Sequence, residues 1–210
     1  MTRVLIADDH SILRGGLKEL LLRHLEDVVC GEAENAQQVL YQVQRQPWDV
    51  LILDITMPGR SGLGILSDLM LLQPKLPVLV LSAHPEDQYA KRALKAGARG
   101  YVKKESAPEE LIQAVRKLLA GGRFVSATLA EQFARDLDEG GDRPSHERLS
   151  AREFEILVMV GSGKTVSQIA EELHLSATTV STYRARLLEK MNMASTAELM
   201  RYAFRNHLVD

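Results

Sequence analysis

Cysteine is almost absent from this chain, and its scarcity excludes two kinds of architecture. The single Cys30 can close no internal disulfide and can build no thiolate cluster around a metal. Such a chain fits a reducing compartment, and Cys30 itself reads as a small residue in an apolar strand. A strong charge of either sign is lacking too. With 26 basic and 28 acidic residues the formal charge is -2, so there is neither a polybasic nor an acidic tail, and partners must be read from local chemistry. Nor is there a long apolar run. Val4 to Ala7 is cut short by Asp8 and Asp9, and no later stretch approaches the length of a membrane span. These absences lead us to expect a cytoplasmic protein with no membrane partner.

What is present is a globular composition, 45% hydrophobic and 26% charged, over 210 residues. That length exceeds one usual domain and makes two the natural expectation. The most informative stretch runs from Trp48 to Arg60. Val50, Leu51, Ile52 and Leu53 read as a strand buried on both faces, as in a parallel sheet. Pro58 and Gly59 forbid further pairing, which leaves Asp54 at the strand's carboxyl end, where open α/β sheets place their ligands. Trp48 reads as a core residue.

Around this strand the chain alternates. Arg3 to Asp9 is a short strand ending in two carboxylates, and Leu13, Leu17, Leu20, Leu21 and Leu25 follow at helical spacing. Strands are predicted at 28–33, 50–54, 77–82 and 100–102, with helices at 36–45, 62–72, 86–96 and 108–120. Five alternations predict an α/β, flavodoxin-like, doubly wound parallel sheet. In that order the first and third strands are neighbours, so Asp8, Asp9 and Asp54 converge on one rim. Like charges crowded there need a cation, and hard oxygen ligands favour Mg²⁺ or Mn²⁺. Ser82 ends the fourth strand and Lys104 follows the fifth. A carboxylate, a divalent cation, a hydroxyl and a lysine suit phosphoryl transfer onto Asp54. His10 and His84 flank the rim and read as solvated loop residues, because no carboxylate or cysteine partner stands at ligand spacing.

Gly121 and Gly122 close the last helix of this part. Val125 to Leu137 is predicted as one more helix, and 138–146 has no apolar residue at all, which is linker composition. Ser150 and Glu153 then form a capping box. Helices over 154–160, 166–173 and 177–191, broken at Gly161 to Gly163 and at His174 to Ser176, make a helix-turn-helix. The expected boundaries are 1–121, 122–147 and 148–210. In the third helix Ser176 is the cap, and Thr178, Thr179, Ser181, Thr182, Arg184 and Arg186 form a small polar surface with two cations that fits a DNA major groove.

The rim residues carry a family resemblance. The Asp8-Asp9 pair, Asp54 followed by Met57-Pro58-Gly59, Ser82-Ala83, and Gly97 to Tyr101 leading to Lys104 resemble the receiver domain of two-component response regulators, in order and spacing. That resemblance implies a CheY-like fold with Asp54 as phosphoacceptor. It implies that Asp9, Asp54 and the Thr56 carbonyl hold Mg²⁺ with Asp8 acting through water. It implies Ser82 and Tyr101 as a switch pair and Lys104 as the phosphoryl contact, although Lys103 stands beside it. Residues 149–209 resemble the LuxR-type output domain of the NarL/FixJ subfamily through Leu149-Ser-x-Arg-Glu, Ile169-Ala-x-x-Leu173, Ser176-x-x-Thr-Val180 and Lys190-Met191. This adds Ala185 and Lys190 to the DNA-facing set and implies a homodimer through the last helix, near 196–206. The implied function is a non-enzymatic, DNA-binding transcriptional regulator. Its partners would be a histidine kinase, promoter DNA in an inverted repeat and RNA polymerase. Two other readings are a hydrolase forming an acyl phosphate at Asp54, opposed by Thr56 where a second carboxylate would stand, and a switch whose helical domain binds protein.

Overall fold

The computed structural model describes the chain except for Gly59, His84, Pro85, Ala107, residues 139–144 and Asp210, and it leaves undescribed the side chains of residues 87, 88, 132, 135–138 and 145. The sequence readings of Gly59 and His84, and most of the 138–146 linker, therefore lie outside the described residues. Backbone contacts divide the chain into two compact units, Met1–Glu139 and Gly140–Asp210.

The first unit alternates strand and helix: β1 (Thr2–Ala7), α1 (Ser11–His24), β2 (Val28–Ala33), α2 (Ala36–Arg45), β3 (Val50–Asp54), α3 (Gly62–Leu72), β4 (Val78–Ser82), α4 (Glu86–Lys95), β5 (Gly100–Lys103), α5 (Pro108–Leu119) and α6 (Ala127–Asp138). The strands form one parallel sheet in the order β2-β1-β3-β4-β5. Every residue of β3 and of β4 is buried. That is why their sequences are continuous apolar runs with no alternation: helices cover both faces. In the register Ala7 pairs with Leu53, so Asp8 and Asp54 leave adjacent strands side by side. The chain order reverses between β1 and β3, which makes this rim the topological switch point of the sheet. Gly62, opening α3, lies so close under the Asp54 carbonyl that a Cβ there would overlap it. Trp48 is half-buried, not a core residue. Its indole N–H donates to the Gln42 carbonyl at 3.1 Å and its ring covers Gly31 of β2, where a side chain would collide with it.

The second unit holds a 3₁₀ turn (Ser145–Arg148) and α7 (Ala151–Gly161), α8 (Val166–Glu172), α9 (Ala177–Lys190) and α10 (Thr196–Arg205). Each of the four helices is capped by a side chain: Ser150 with Glu153, Thr165 with Gln168, Ser176, and Ser195. A helix N-cap contributes roughly 1 kcal/mol, and four in so small a unit fix where each helix begins. His174, in the turn between α8 and α9, takes φ 53°, the left-handed conformation that ends one helix and aims the next. Phe154, Ile156, Leu157, Ile169, Val180, Leu187 and Leu199 are buried in this unit. No helix among the described residues is long and apolar enough to cross a membrane.

Candidate phosphoacceptor and DNA-binding sites

Three strand ends build the rim. Asp8 and Asp54 are each 1% exposed, and one carboxylate oxygen from each of Asp8, Asp9 and Asp54, with a ring nitrogen of His10, lies within 4.8 Å of the others. Lys104, just past β5, places its ammonium 2.8 Å from Asp54 Oδ2 and 2.7 Å from Asp8 Oδ2. The Thr56 amide donates to Asp54 Oδ1 at 3.1 Å. Burial raises the Asp54 carboxyl to about 6, against the pull of Lys104 and Thr56. Burial also lowers Lys104, but its bonds to Asp54 and Asp8 outweigh that and hold its pKa above the ordinary lysine value. Lys103 is exposed.

The donor set fits a hard divalent cation. Asp8 Oδ2 is buried, and its one charged partner among the described contacts is the Lys104 ammonium. Three carboxylates gathered around one ammonium leave an excess of negative charge that a divalent cation would balance. Ser82 and Tyr101 are buried on β4 and β5, 0% and 1% exposed, and the Tyr101 amide is hydrogen-bonded to Phe124.

The structure corrects the sequence reading of one rim residue and adds another. His10 is not a histidine without carboxylate partners: its Nδ1 lies 2.9 Å from Asp9 Oδ1 and 3.2 Å from Asp8 Oδ1, although the ring is largely exposed. The cause is local, because the His10 amide donates to Asp8 Oδ1 at 2.8 Å and folds the backbone back on the acid. Arg14 is 6% exposed on α1. Its guanidinium donates to the Asp8 carbonyl at 2.8 Å and pairs with Glu32 and Glu34 at 3.3 and 2.9 Å. The Asp8 amide donates to Ala33 at 3.1 Å, so the backbone of the acidic pair is clamped on both sides.

On α9 the residues Thr178, Thr182, Ala185, Arg186 and Lys190 are exposed, while Thr179, Ser181 and Arg184 are half-buried beside them. The Thr182 hydroxyl donates to the Thr178 carbonyl at 3.0 Å, leaving its methyl and oxygen lone pairs outward. Lys190 reaches back to α7, 2.8 Å from Glu153.

Comparison with known proteins gives a family for each unit. Residues 4–116 match the response regulator receiver domain, and residues 147–203 match the bacterial regulatory proteins of the luxR family. The chain belongs to the NarL/FixJ family of two-component response regulators. It is 35% identical over 211 residues to response regulator GacA of Pseudomonas aeruginosa, covering 100% of this chain and 99% of that one. It is 32% identical to response regulator UvrY of Escherichia coli K12, over 99% and 96% of the two chains. Among solved structures it is similar to RcsB of Salmonella enterica serovar Typhimurium bound to promoter rprA in the presence of the phosphomimetic BeF3-. There the TM-score is 0.63 and identity 26%, over 96% of this chain and 98% of that one. The regulator is a transcription factor of a two-component system with a LuxR-type DNA-binding domain.

In this regulator Glu153 is 4% exposed and accepts from the Ser150 amide and hydroxyl as well as from Lys190. Burial pushes its carboxyl up, but Lys190 and Ser150 together hold it below the ordinary carboxylate value. A folded value below the unfolded one means stability that is present above the carboxylate range and lost as pH falls through it. Lys190→Ala is therefore expected to cost about 1 kcal/mol at pH 7, because Lys190 is half-exposed and Ser150 still serves the Glu153 carboxylate, and less at pH 4. Melting of the second unit against pH checks the first effect. DNA titration well below the melting temperature separates this loss of stability from any contact that Lys190 makes with DNA.

Proposed function

We propose that the regulator is phosphorylated on Asp54 by a partner histidine kinase and that this modification promotes dimerisation and promoter binding. The single observation that carries the reading is the Asp54 carboxylate at the switch point, held by Lys104 and Thr56 and surrounded by two further acids. Asp54 Oδ attacks the phosphorus of a phosphohistidine; the O–P bond forms as the P–N bond breaks, and the imidazole leaves. Lys104, freed from Asp54, pairs with the transferred group as its negative charge grows. Asp9, Asp54 and the Thr56 carbonyl, with Asp8 behind them, would hold Mg²⁺ or Mn²⁺, which supplies charge neutralisation of the phosphoryl oxygens. Arg14 keeps the acidic pair in place through the Asp8 carbonyl.

The reading continues in the second unit. Met200 and Phe204, one turn apart on α10, are 38% and 65% exposed, and an apolar helix face of this kind supports a two-fold contact with a second copy. Such a dimer presents two α9 helices to an inverted repeat. A DNA-bound, non-enzymatic regulator of this composition works in the cytoplasm, where RNA polymerase is its further partner.

Selection of bound sequences from a random DNA pool, with and without a small phosphodonor and Mg²⁺, tests this. The expected result is a recovered motif whose enrichment depends on the donor. That dependence is expected to disappear in Lys104→Ala and to survive in Lys103→Ala. Donor-independent recovery by the unaltered protein overturns the switch, and loss in Lys103→Ala overturns the assignment of the lysine.

A further inference from the structure

The imidazole of His10 stands at the start of α1 and is not used by the helix. His10 is the N-cap residue, with extended backbone (φ -84°, ψ 104°), yet its side chain makes no hydrogen bond to the first turn. N-cap side chains commonly spend an acceptor on that turn. Here the ring lies instead against the acids of the rim, with Nδ1 2.9 Å from Asp9 Oδ1 and 3.2 Å from Asp8 Oδ1. The backbone that carries it is fixed on both sides: the His10 amide donates to Asp8 Oδ1 at 2.8 Å, and the His10 carbonyl accepts from the Arg14 amide at 3.0 Å.

The acidic cluster therefore has two unlike ends. At the buried end the Lys104 ammonium lies 2.7 Å from Asp8 Oδ2 and 2.8 Å from Asp54 Oδ2, and its charge keeps another cation away. At the open end a neutral nitrogen donor stands beside Asp8 Oδ1 and the partly exposed Asp9. The His10 nitrogen and one carboxylate oxygen from each of Asp8, Asp9 and Asp54 lie within 4.8 Å of one another. Neighbouring ligand atoms bonded at about 2.0–2.2 Å to one small divalent ion are themselves about 3 Å apart. The separations from Nδ1 to the two acids are of that size. A hydrogen bond from Nδ1 to Asp9 has the same length, and the two uses exclude each other, because a proton and an ion would take the same lone pair.

We propose that His10 opens the rim to a second class of cation, a borderline first-row divalent ion of the Zn²⁺ type, bound through His10 Nδ1 with the Asp9 and Asp54 carboxylates and excluding Mg²⁺ while it is bound. The proposal rests on the reading of this rim, given above, as the cation site for phosphorylation of Asp54. Imidazole suits Zn²⁺ and its neighbours in the first row, whereas Mg²⁺ takes oxygen and keeps several waters. His10 thus adds to the affinity of one class and adds nothing to that of the other. Because both ions need Asp9 and Asp54, each weakens the other, and a Zn²⁺-loaded rim holds no Mg²⁺ for phosphoryl transfer.

Titration of Zn²⁺ into the full chain by calorimetry, at several Mg²⁺ concentrations, gives both affinities in one experiment. Mg²⁺ is expected to weaken Zn²⁺ binding progressively. His10→Gln is expected to lower the ratio of Zn²⁺ to Mg²⁺ affinity by about tenfold or more, since even the outer partners of a metal-bound histidine are worth about 10–100-fold. His10→Asp supplies the side-chain cap that α1 lacks but offers oxygen in place of nitrogen, so it is expected to leave the ratio as low as in His10→Gln. His24→Gln, at the far end of α1, is expected to keep the ratio of the unaltered protein. An unchanged ratio in His10→Gln overturns the proposal, as does Zn²⁺ binding indifferent to Mg²⁺ or an equal fall in His24→Gln. Recovery of the full ratio in His10→Asp also overturns it, by reducing His10 to a cap. Labelling of Asp54 by a small phosphodonor is measured on the unaltered protein with Mg²⁺ alone. Its absence overturns instead the phosphorylation reading, so the two failures are distinct.

Discussion

Asp54→Asn is expected to abolish labelling by a small phosphodonor completely, with intact mass showing a single adduct on the unaltered protein and none on the variant. Chelation of divalent cations is expected to abolish labelling in the unaltered protein as well. The pH dependence has a defined sign. Only the carboxylate is a nucleophile, and burial has raised this one to about 6 in the cation-free site, so labelling is expected to rise with pH toward a plateau, with the cation that labelling requires drawing the rise to lower pH. A folded value above the unfolded one also means that Asp54 favours the fold below the ordinary carboxylate range and that this favour is lost as pH rises through 6. Asparagine resembles the protonated acid. At pH 7.5 Asp54→Asn is therefore expected to stabilise the first unit, by about 3 kcal/mol at 1.36 kcal/mol per pH unit. An adduct on the variant, or labelling that survives chelation, would remove Asp54 or the cation from the mechanism.

The parts of this site that were legible in the sequence share one physical origin. A parallel sheet buries its central strands on both faces, so each run of apolar residues ends abruptly at the rim, and Asp8, Asp9, Asp54 and Ser82 stand where the runs stop. The capping serines were legible for a similar reason: Ser150 with Glu153 and Ser176 are short-range patterns that need no knowledge of the fold. Arg14 was not legible, because its partners lie 18 and 20 residues away, Glu32 on β2 and Glu34 just after it, and nothing local distinguishes it from a solvated arginine. Phe124 escaped for the same reason. A single residue beside β5 leaves no strand-length pattern. His10 shows the opposite failure, in which the partner was two residues away but the turn that brings them together is a property of the Asp8 side chain.

The largest effect on DNA is expected from Arg186, and it differs in kind from that of Thr182. Arg186 is exposed on α9 beside Ala185 and Thr182, and a flexible cation flanking that stripe reaches phosphates more readily than base edges. Arg186→Ala is expected to weaken binding to target and random DNA alike and to lower the salt slope by about one, the counterion released by a single phosphate contact. Thr182 differs because its hydroxyl proton is already given to the Thr178 carbonyl. It can offer only a methyl group and acceptor lone pairs, which suit a thymine methyl or the amino group of adenine or cytosine. Thr182→Ala is expected to cost roughly 1–3 kcal/mol on the best site, with base preference altered at one position per half-site and the salt slope unchanged. Thr182→Val keeps the methyl and discards the acceptor, so recovery of the original preference in that variant assigns the contact to the methyl. Two α9 helices related by a two-fold through α10 would read half-sites about one helical turn apart in opposite directions. An asymmetric selected site would defeat the docking through α10, and a shift of base preference with Arg186→Ala at constant salt slope would show that Arg186 reads bases and that the division of labour along α9 is the reverse.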